Sequence, residues 1–272
     1  MEHRERVATL FDQLAEVYDG VGVEFFQPIA AGLVAELDPR PGERAVDIGC
    51  GRGAVLLPLA VAVGQSGSVV GLDLSSRMVE SAAAEAARAG LAVEVRVGDA
   101  MAPALPVESF DVIASSLVLF FLSDPLAALR AWRLLVVEGG RVGVSTFGPY
   151  SDRWRNEVDT VLRRHVTPNV SDARTTGQQG PFASDEGMEA LLMEAGFREL
   201  RTAMSIVSPR FADAEHWYRW SMSVGQRQFW EAIPEDERAD AKMELFTAVG
   251  KCRDDAGRIG FDQEIRYTLA IR

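Results

Sequence analysis

Short apolar runs alternate with amphipathic stretches between residues 44 and 146. The runs have the length and composition of strands and cover Arg44–Ile48, Ser68–Asp73, Ala92–Val97, Phe110–Ala114 and Gly140–Phe147. The stretches between them have helical spacing and cover residues 53–63, 75–89 and 124–137. Strands that alternate with helices predict right-handed βαβ units and a parallel sheet covered on both faces. We therefore expect an α/β core.

The segments on either side of this core carry further predicted elements. Residues 5–37 hold two predicted helices, and residues 39–42 link them to the core. Residues 148–182 are rich in Gly, Pro and polar side chains and are predicted to be irregular. The later predicted elements are a helix at 184–195, a strand at Arg198–Val207, helices within 213–250 and a strand at Gln263–Ile271.

These elements predict three parts of the chain. They are an N-terminal helical unit at 1–40, the α/β core at 41–147, and a part at 148–272 that combines the rest of the sheet (about 184–208 and 261–272) with insertions at about 148–182 and 209–256. The second insertion carries the aromatic residues Trp217, Tyr218, Trp220, Phe229, Trp230 and Phe246. We expect it to form a cap over a substrate site; packing of these rings against the core is the alternative.

Composition narrows the class of protein. With 272 residues, 47% hydrophobic and 25% charged, the chain has ordinary globular usage. No apolar run reaches the roughly 18–20 residues of a membrane span, and the charged start indicates no secretion signal. Cys50 and Cys252 form no disulfide framework, so a reduced, cytoplasmic protein is expected. Lys and Arg are outnumbered 28 to 40 by Asp and Glu, which disfavours a nucleic-acid partner. The sequence contains no pattern that indicates an oligomeric state.

A glycine loop follows the first predicted strand of the core. Gly49, Gly51 and Gly53 come directly after Asp47-Ile48 and before a helix. Glycines in this place let a ligand approach the backbone closely at the edge where open α/β sheets bind ligands. The run Gly49–Ala54 also satisfies the dinucleotide pattern G-x-G-x-x-G/A. Spacing alone therefore leaves nicotinamide and flavin cofactors open.

The charge beside the loop separates these cofactors. A dinucleotide places its pyrophosphate at the loop and the helix N-terminus, where a neighbouring carboxylate is unfavourable. Asp47 lies two residues before the first glycine. S-adenosylmethionine has no phosphate and presents an ammonium and a sulfonium group, so an acid there favours it. The alternative for Asp47 is a carboxylate that only accepts hydrogen bonds from loop amides.

Two further acids end the next two predicted strands. Asp73 lies about twenty residues past the loop, the spacing expected for a carboxylate that binds ribose hydroxyls. Asp99 ends the following strand, where it would accept the adenine amino group. Ser75 suits the N-cap of the next helix, so capping is the alternative role for Asp73. Three strands that each end in an aspartate at one crevice are more specific than any one of them.

With these residues the chain resembles the class I S-adenosylmethionine-dependent methyltransferases, in particular the small-molecule branch similar to the ubiquinone and menaquinone enzymes. The resemblance covers roughly residues 10–205. It rests on the segments Asp47–Gly53, Gly71–Ser75, Gly98–Ala100, Phe110–Leu117 and Pro125–Arg141. It implies a Rossmann-like, seven-stranded, mostly parallel sheet whose last strand is antiparallel.

The resemblance also implies roles for individual residues. The cofactor-binding set is Asp47, Gly49, Gly51, Gly53, Asp73, Leu74, Met78, Asp99, Ala100 and Ser115, with Met78 near the adenine. The stretch Phe11–Asp19 resembles the N-terminal helix that closes over the cofactor in this branch, so residues 1–40 are expected to act as a lid. The sequence departs from the family pattern at Phe120-Phe121-Leu122, where many relatives have histidines. This departure makes the wall of the expected site after the fourth strand apolar.

Candidates for a catalytic base are few. Methyl transfer by in-line displacement draws much of its rate from positioning and desolvation, so a base is optional when the nucleophile is reactive. His165, Tyr18 and His216 are the catalytic candidates, with surface or packing roles as their alternatives. Glu157 and Asp152 are further candidate bases. No metal-binding motif such as H-E-x-x-H is present, so no metal is expected.

The leading hypothesis is methyl transfer to an oxygen, nitrogen or carbon atom of a small, apolar metabolite, as in secondary-metabolite biosynthesis. A cyclase or binding protein that keeps the methyltransferase fold is one alternative. A nicotinamide-dependent oxidoreductase, favoured only by the overlap of the glycine patterns, is another.

Overall fold

The computed structural model describes residues 3–166, 173 and 177–272. Its main sheet has seven strands within these residues, in the order β3-β2-β1-β4-β5-β9-β6. The strands are β1 Arg44–Ile48, β2 Ser68–Asp73, β3 Glu94–Val97, β4 Phe110–Ser116, β5 Val136–Tyr150, β6 Arg198–Val207 and β9 Gln263–Ile271. Strands β1 to β5 are parallel, and β9 is antiparallel to both of its neighbours. The predicted fold class is confirmed.

Helices pack against this sheet and also extend beyond it. Their bounds are α1 His3–Leu14, α2 Phe26–Leu37, α3 Leu56–Val63, α4 Ser76–Arg88, α5 Pro125–Leu135, α6 Asp152–Trp154, α7 Thr160–His165, α8 Asp185–Glu194, α9 Ala214–Met222, α10 Arg227–Ala232 and α11 Arg238–Gly250. Central strands such as β1 and β4 are buried at nearly every position. Burial of successive residues requires cover on both faces, because neighbouring side chains point to opposite sides of a sheet. No helix among the described residues is long and apolar enough to cross a membrane.

The prediction of an irregular segment at 148–182 is wrong for much of its length. Strand β5 continues to Tyr150, where it pairs with Gln263 of β9. Helix α6, a π-helical stretch at Arg155–Asp159 and helix α7 then follow. Their buried side chains are spaced as i, i+4, i+7 and i+8, which is the pattern of one helix face: Trp154, Val158, Val161 and Leu162. Residues 167–172 and 174–176 of the predicted segment lie outside the described residues.

The two N-terminal helices pack at different places, α1 at the edge where the parallel strands end and α2 on four strands of the sheet. Helix α1 packs on α4. Arg4 forms an ion pair with Asp99 at 3.2 Å, and the hydroxyl of Ser75 donates a hydrogen bond to Asp12 at 2.5 Å. Helix α2 packs on β4, β5, β6 and β9. The two helices therefore join separate parts of the sheet.

The predicted insertion at 209–256 contains α9, α10 and α11, and a small sheet of β7 Arg210–Phe211 and β8 Ile259–Gly260 flanks these helices. Its aromatic residues are mostly buried: Trp217, Trp220, Phe229 and Trp230. Rings of the insertion pack against the core, as when Trp220 meets Phe25 edge-on at 5.5 Å. The packing alternative is therefore correct for most of these rings, although Trp220 also borders the cavity described below.

Candidate functional site

The glycine loop turns sharply between β1 and α3. Gly49, Gly51 and Gly53 all have positive φ, at 78°, 51° and 97°. A side chain at Gly49 would collide with Val118, whereas one at Gly51 would meet no atom within 4 Å. The amides of Gly49 and Cys50 both donate to the carbonyl of Leu72, at 2.7 and 3.0 Å, which holds the loop against β2. The loop thus leaves open space beside Gly51.

This space belongs to a cavity of about 810 Å³. Its acidic side lies at the ends of β1, β2 and β3 and contains Asp47, Asp73 and Asp99. Its aromatic side comes from the start of α2, the turn after β4, strand β5 and the insertion at residues 209–256. The aromatic residues on that side are Phe25, Phe26, Phe120, Phe121, Phe147 and Trp220. A volume near the upper end of the roughly 300–1,000 Å³ of ligand pockets leaves room for two ligands side by side.

Asp47 is almost fully buried at the end of β1, with 1% of its surface exposed. No group in the described part of the chain donates a hydrogen bond of normal geometry to either of its carboxyl oxygens. Burial and the nearby Asp73 raise its pKa to about 8, and a weak contact from the backbone N–H of Leu56 lowers the pKa only in part. The predicted alternative, a carboxylate bonded to loop amides, is not what the structure shows. A buried acid without partners is costly unless a ligand supplies them.

Asp73 holds the loop in shape. Its carboxylate accepts hydrogen bonds from the amides of Gly51 at 2.8 Å and Ser75 at 2.9 Å. Burial raises the pKa of Asp73, and these amides oppose the rise. Ser75 is the N-cap of α4 and accepts from the amide of Met78 at 3.1 Å. Each carboxylate oxygen has a second lone pair, so Asp73 keeps acceptor capacity toward the cavity.

The other predicted cofactor residues fall into two groups. Leu74, Met78, Asp99 and Ala100 line the cavity, as do Gly49 and Gly51. Gly53 and Ser115 are not among its lining residues. The Ser115 hydroxyl instead donates to the carbonyl of Ile48 at 2.7 Å, tying β4 to β1. The next residues of β4 and its loop, Ser116 and Leu117, reach the cavity in its place.

Both histidines proposed as bases lie away from the cavity lining. His165 is hydrogen-bonded through Nε2 to Glu244 of α11 at 2.8 Å. His216 accepts from the amide of Ala212 at Nδ1, and its Nε2 donates to the carbonyl of Val21. The structure therefore gives these side chains roles in holding the insertion in place. Sequence alone could not show this, because Glu244 and Val21 are distant in the chain.

Tyr18 does reach the cavity, together with Asp19, which the sequence did not single out as a base. The ring of Tyr18 stacks on Phe26, with centroids 5.0 Å apart. Burial raises the pKa of Tyr18, and the negative charge of Asp19 adds to the effect. Burial also raises the pKa of Asp19 to about 6, opposed by the charge of Arg52. Asp19 stands at a left-handed φ of 55°, and its Oδ1 is buried without a partner in the described residues.

The aromatic side confirms that Phe120 and Phe121 form an apolar wall. Phe147 of β5 lies between two nearly parallel rings, Phe120 at 5.4 Å and Phe25 at 6.4 Å. Gln226 interrupts this apolar surface from the cap. Sequence reasoning missed Phe25, Phe147 and Gln226 as cavity residues, because no motif marks them and only the fold brings α2, β5 and the cap together.

The chain is similar to known proteins over most of its length. Residues 46–144 match the family model described as a methyltransferase domain. The chain is 39% identical to nocamycin O-methyltransferase of Saccharothrix syringae, over 87% of this chain and 88% of that protein. It is 41% identical to aklanonic acid methyltransferase of Streptomyces sp. (strain C5), over 53% and 66%. The YcgJ protein of Bacillus subtilis has a similar fold, with a TM-score of 0.59 at 17% identity over 90% of this chain and 98% of that one.

Proposed function

The chain belongs to the class I S-adenosylmethionine-dependent methyltransferases, and we propose that it methylates an oxygen atom of a small, largely apolar metabolite. One observation carries this proposal. The same cavity has an unpaired buried carboxyl group on one side, an aromatic wall on the other, and space for two ligands between them. Relatives named for nocamycin and aklanonic acid support a substrate from secondary metabolism, and the former supports oxygen as the accepting atom.

The residues on the acidic side fit this cofactor. Asp47 would hold its cationic end, because an ammonium or sulfonium group supplies the partners that the buried carboxylate lacks. The open space at Gly51 would admit the methionine part. Asp73 would accept from the ribose hydroxyls, and Asp99 from the adenine amino group, with Met78 beside the ring. We assign residues 1–40 as a lid, because α1 bonds to Asp99 and Ser75 at this side.

When bound, the cofactor would supply an electrophilic methyl group and be released as the neutral thioether S-adenosylhomocysteine. The chain would supply positioning of the acceptor, exclusion of water and a proton acceptor. The aromatic side would orient an apolar acceptor and exclude water from the reacting oxygen. Asp19 would take the proton that an acceptor hydroxyl loses as its oxygen forms the new bond to carbon. With a pKa near 6, Asp19 is largely ionised at neutral pH and still basic enough to act. Tyr18 would position that hydroxyl.

Two measurements test the proposal in sequence. Calorimetry should show saturable binding of S-adenosylmethionine and none of NAD(H); the reverse result would exclude the proposal. A panel of oxygenated aromatic metabolites is then incubated with cofactor carrying a deuterated methyl group, and products are examined by mass spectrometry and NMR. Label attached to oxygen is the expected result. Cofactor binding with rearranged but unlabelled product would instead support the methyltransferase-fold cyclase.

A further inference from the structure

Two polar side chains of the insertion at residues 209–256 line the cavity, and one polar atom of each has no hydrogen-bond partner in the described part of the chain. Gln226 follows α9, in the turn that leads to α10, and only 9% of its surface is exposed. Its amide oxygen is fully buried, and nothing in residues 3–166, 173 or 177–272 donates to it. Trp220, near the end of α9, is 2% exposed, and its indole N–H likewise has no acceptor there. Both residues border the cavity.

The residues around the Gln226 amide oxygen and the Trp220 indole N–H are mostly apolar, which explains why neither group has a hydrogen-bond partner in the described part of the chain. Trp220 is packed among the rings of Phe25, Phe211 and Phe261. Val224 and Gly225 precede Gln226 on the cavity wall. A leucine at position 226 would suit such an apolar surface better than an unpaired amide, which loses its hydrogen bonds to water on burial. The polar atoms are therefore placed for a ligand rather than for stability.

The indole of Trp217 provides a contrast. It is buried and unpaired within the described chain as well, but it does not border the cavity. An unpaired indole alone is thus no sign of a binding site. What distinguishes Trp220 is its place beside Gln226 on one wall of a ligand-sized cavity.

The two groups have complementary hydrogen-bonding character. The oxygen of Gln226 only accepts, so it needs a donor such as a hydroxyl; the N–H of Trp220 only donates, so it needs an acceptor such as a carbonyl. We propose that Gln226 and Trp220 recognise oxygen groups of the methyl acceptor other than the one methylated, and that its acceptors are aromatic ring systems carrying both a hydroxyl and a carbonyl. This inference rests on the methyl transfer proposed above.

Binding of two anthraquinones to the protein saturated with S-adenosylhomocysteine tests the inference. Equilibrium dialysis compares 2,6-dihydroxyanthraquinone, which has carbonyls and a second hydroxyl, with 2-hydroxyanthraquinone, which has carbonyls and only the hydroxyl that would be methylated. The wild-type protein should bind the dihydroxylated probe about tenfold more tightly, the usual scale of one buried hydrogen bond. Gln226→Leu should reduce this preference to less than about twofold, because the acceptor for the second hydroxyl is gone.

Trp220→Phe should weaken the binding of both probes by a similar factor, because both carry the carbonyl. The ratio of their two dissociation constants should therefore stay the same. Gln13→Leu, the same exchange at an exposed position of α1 outside the cavity lining, is the matched control and should behave as wild type. The thermal midpoint of Gln226→Leu should equal or exceed that of the wild type. An unchanged preference in Gln226→Leu would overturn the inference, and so would a wild-type protein that binds neither probe saturably.

Failure of this inference is distinguishable from failure of the proposed function. Calorimetry of S-adenosylmethionine binding to Gln226→Leu should match the wild type, because Gln226 belongs to the insertion and not to the strand ends that carry the three aspartates. Normal cofactor binding and methyl transfer with an unaltered probe preference would reject only the recognition role. Absence of cofactor binding in the wild type would reject the proposed function itself.

Discussion

Asp47 is a buried acid without hydrogen-bond partners. Such a residue lowers the stability of the ligand-free fold and at the same time favours binding of a cationic ligand. Its folded-state pKa of about 8 means that the folded chain holds the proton more tightly than the unfolded chain does. The contribution of Asp47 to stability is therefore fully present below the unfolded-state pKa and is lost as pH rises through the folded-state pKa. Without a ligand, the ionised side chain destabilises the fold at pH 8; with a cationic ligand, the same charge contributes to affinity.

Asp47→Asn should raise the stability of the ligand-free protein and weaken cofactor binding. The gain should be roughly 1–3 kcal/mol at pH 8, the scale of an unpaired buried polar group, and should shrink toward pH 4 because the aspartate is then protonated. Urea denaturation at both pH values measures the stability, and calorimetry measures the affinity for S-adenosylmethionine.

Asp111→Asn is the control for Asp47→Asn. Asp111 accepts from the guanidinium of Arg44 at 3.0 Å, a hydrogen bond that lowers its pKa. Its replacement should reduce stability and leave cofactor affinity unchanged. A loss of stability in Asp47→Asn at pH 8 would contradict the account of Asp47.

The pH dependence of methyl transfer should report on Asp19. As a base it must be ionised, so kcat/KM should fall about tenfold per unit below its pKa of about 6. Asp19→Asn should lower kcat by roughly 10²–10⁴-fold, the usual contribution of a general base, and remove this acidic limb. His165→Gln, away from the cavity lining, should keep the limb. Persistence of the limb in Asp19→Asn would assign it to another group.

Residues whose position follows from local sequence were predictable, and those fixed by distant contacts were not. Asp47, Asp73 and Asp99 end consecutive parallel strands, so their convergence followed from the fold class. Asp19 escaped notice because its burial depends on packing against the glycine loop, where Arg52 donates to the carbonyl of Tyr18 at 3.0 Å. Ser115 was expected at the cavity, but it lies one residue before the position that reaches it.

At the scale of elements, α1 is held to the core by a small apolar cluster around Leu14 and Met78 and by a few polar contacts. Leu14 is its only fully buried residue in the described chain. Asp12 accepts from the hydroxyl of Ser75, the same residue that caps α4. Loss of this contact should therefore loosen the lid without unfolding the sheet.

Asp12→Ala should increase the dissociation rate of S-adenosylhomocysteine about 5- to 10-fold, the scale of one hydrogen bond. Stopped-flow displacement measures this rate. Glu16→Ala is the control, because Glu16 follows α1 but its side chain is 85% exposed in a loose ion pair with Arg77. Equal rates in Asp12→Ala and the wild type would show that α1 does not restrain the ligand.

Hydrophobic patterns correctly predicted the strands of the sheet. In the segment after β5, amino-acid composition led to a wrong prediction. Strand β6 and strand β9 begin and end where the sequence predicted. In residues 152–165 the polar and charged residues suggested a loop, but four buried side chains at helical spacing decided the structure. Apolar periodicity was the better guide, because burial of one face determines whether a helix forms.

At the scale of the whole molecule, Arg141 joins the lid unit to the sheet. Its guanidinium donates to the carbonyls of Leu37 and Asp38 at 2.6 and 2.8 Å, at the end of α2. It also pairs with Glu43 at 2.7 Å, with each side chain about one-fifth exposed. The hydrogen bond from Arg141 lowers the pKa of Glu43.

Arg141→Ala should reduce the free energy of unfolding by roughly 2–3 kcal/mol at pH 7, since it leaves a half-buried carboxylate and two carbonyls without their donor. Because the folded-state pKa of Glu43 is lowered, its contribution is present above the unfolded value and is lost as pH falls through the folded value. The difference between variant and wild type should therefore shrink at acid pH in urea denaturation. Arg96→Ala removes an exposed ion pair with Glu94 and should change stability by less than about 0.5 kcal/mol.

The insertion of β9 between β5 and β6 has a consequence for synthesis on the ribosome. Strand β6 cannot join the sheet until β9 has emerged, and the whole cap is translated between them. At about 5–20 residues per second this takes roughly 3–10 s. During that interval β5 has an unpaired edge, the kind of surface that recruits strands from other nascent chains. The newly made chain is therefore most exposed to aggregation while its cap is being synthesised, and that is when a holding chaperone would protect it.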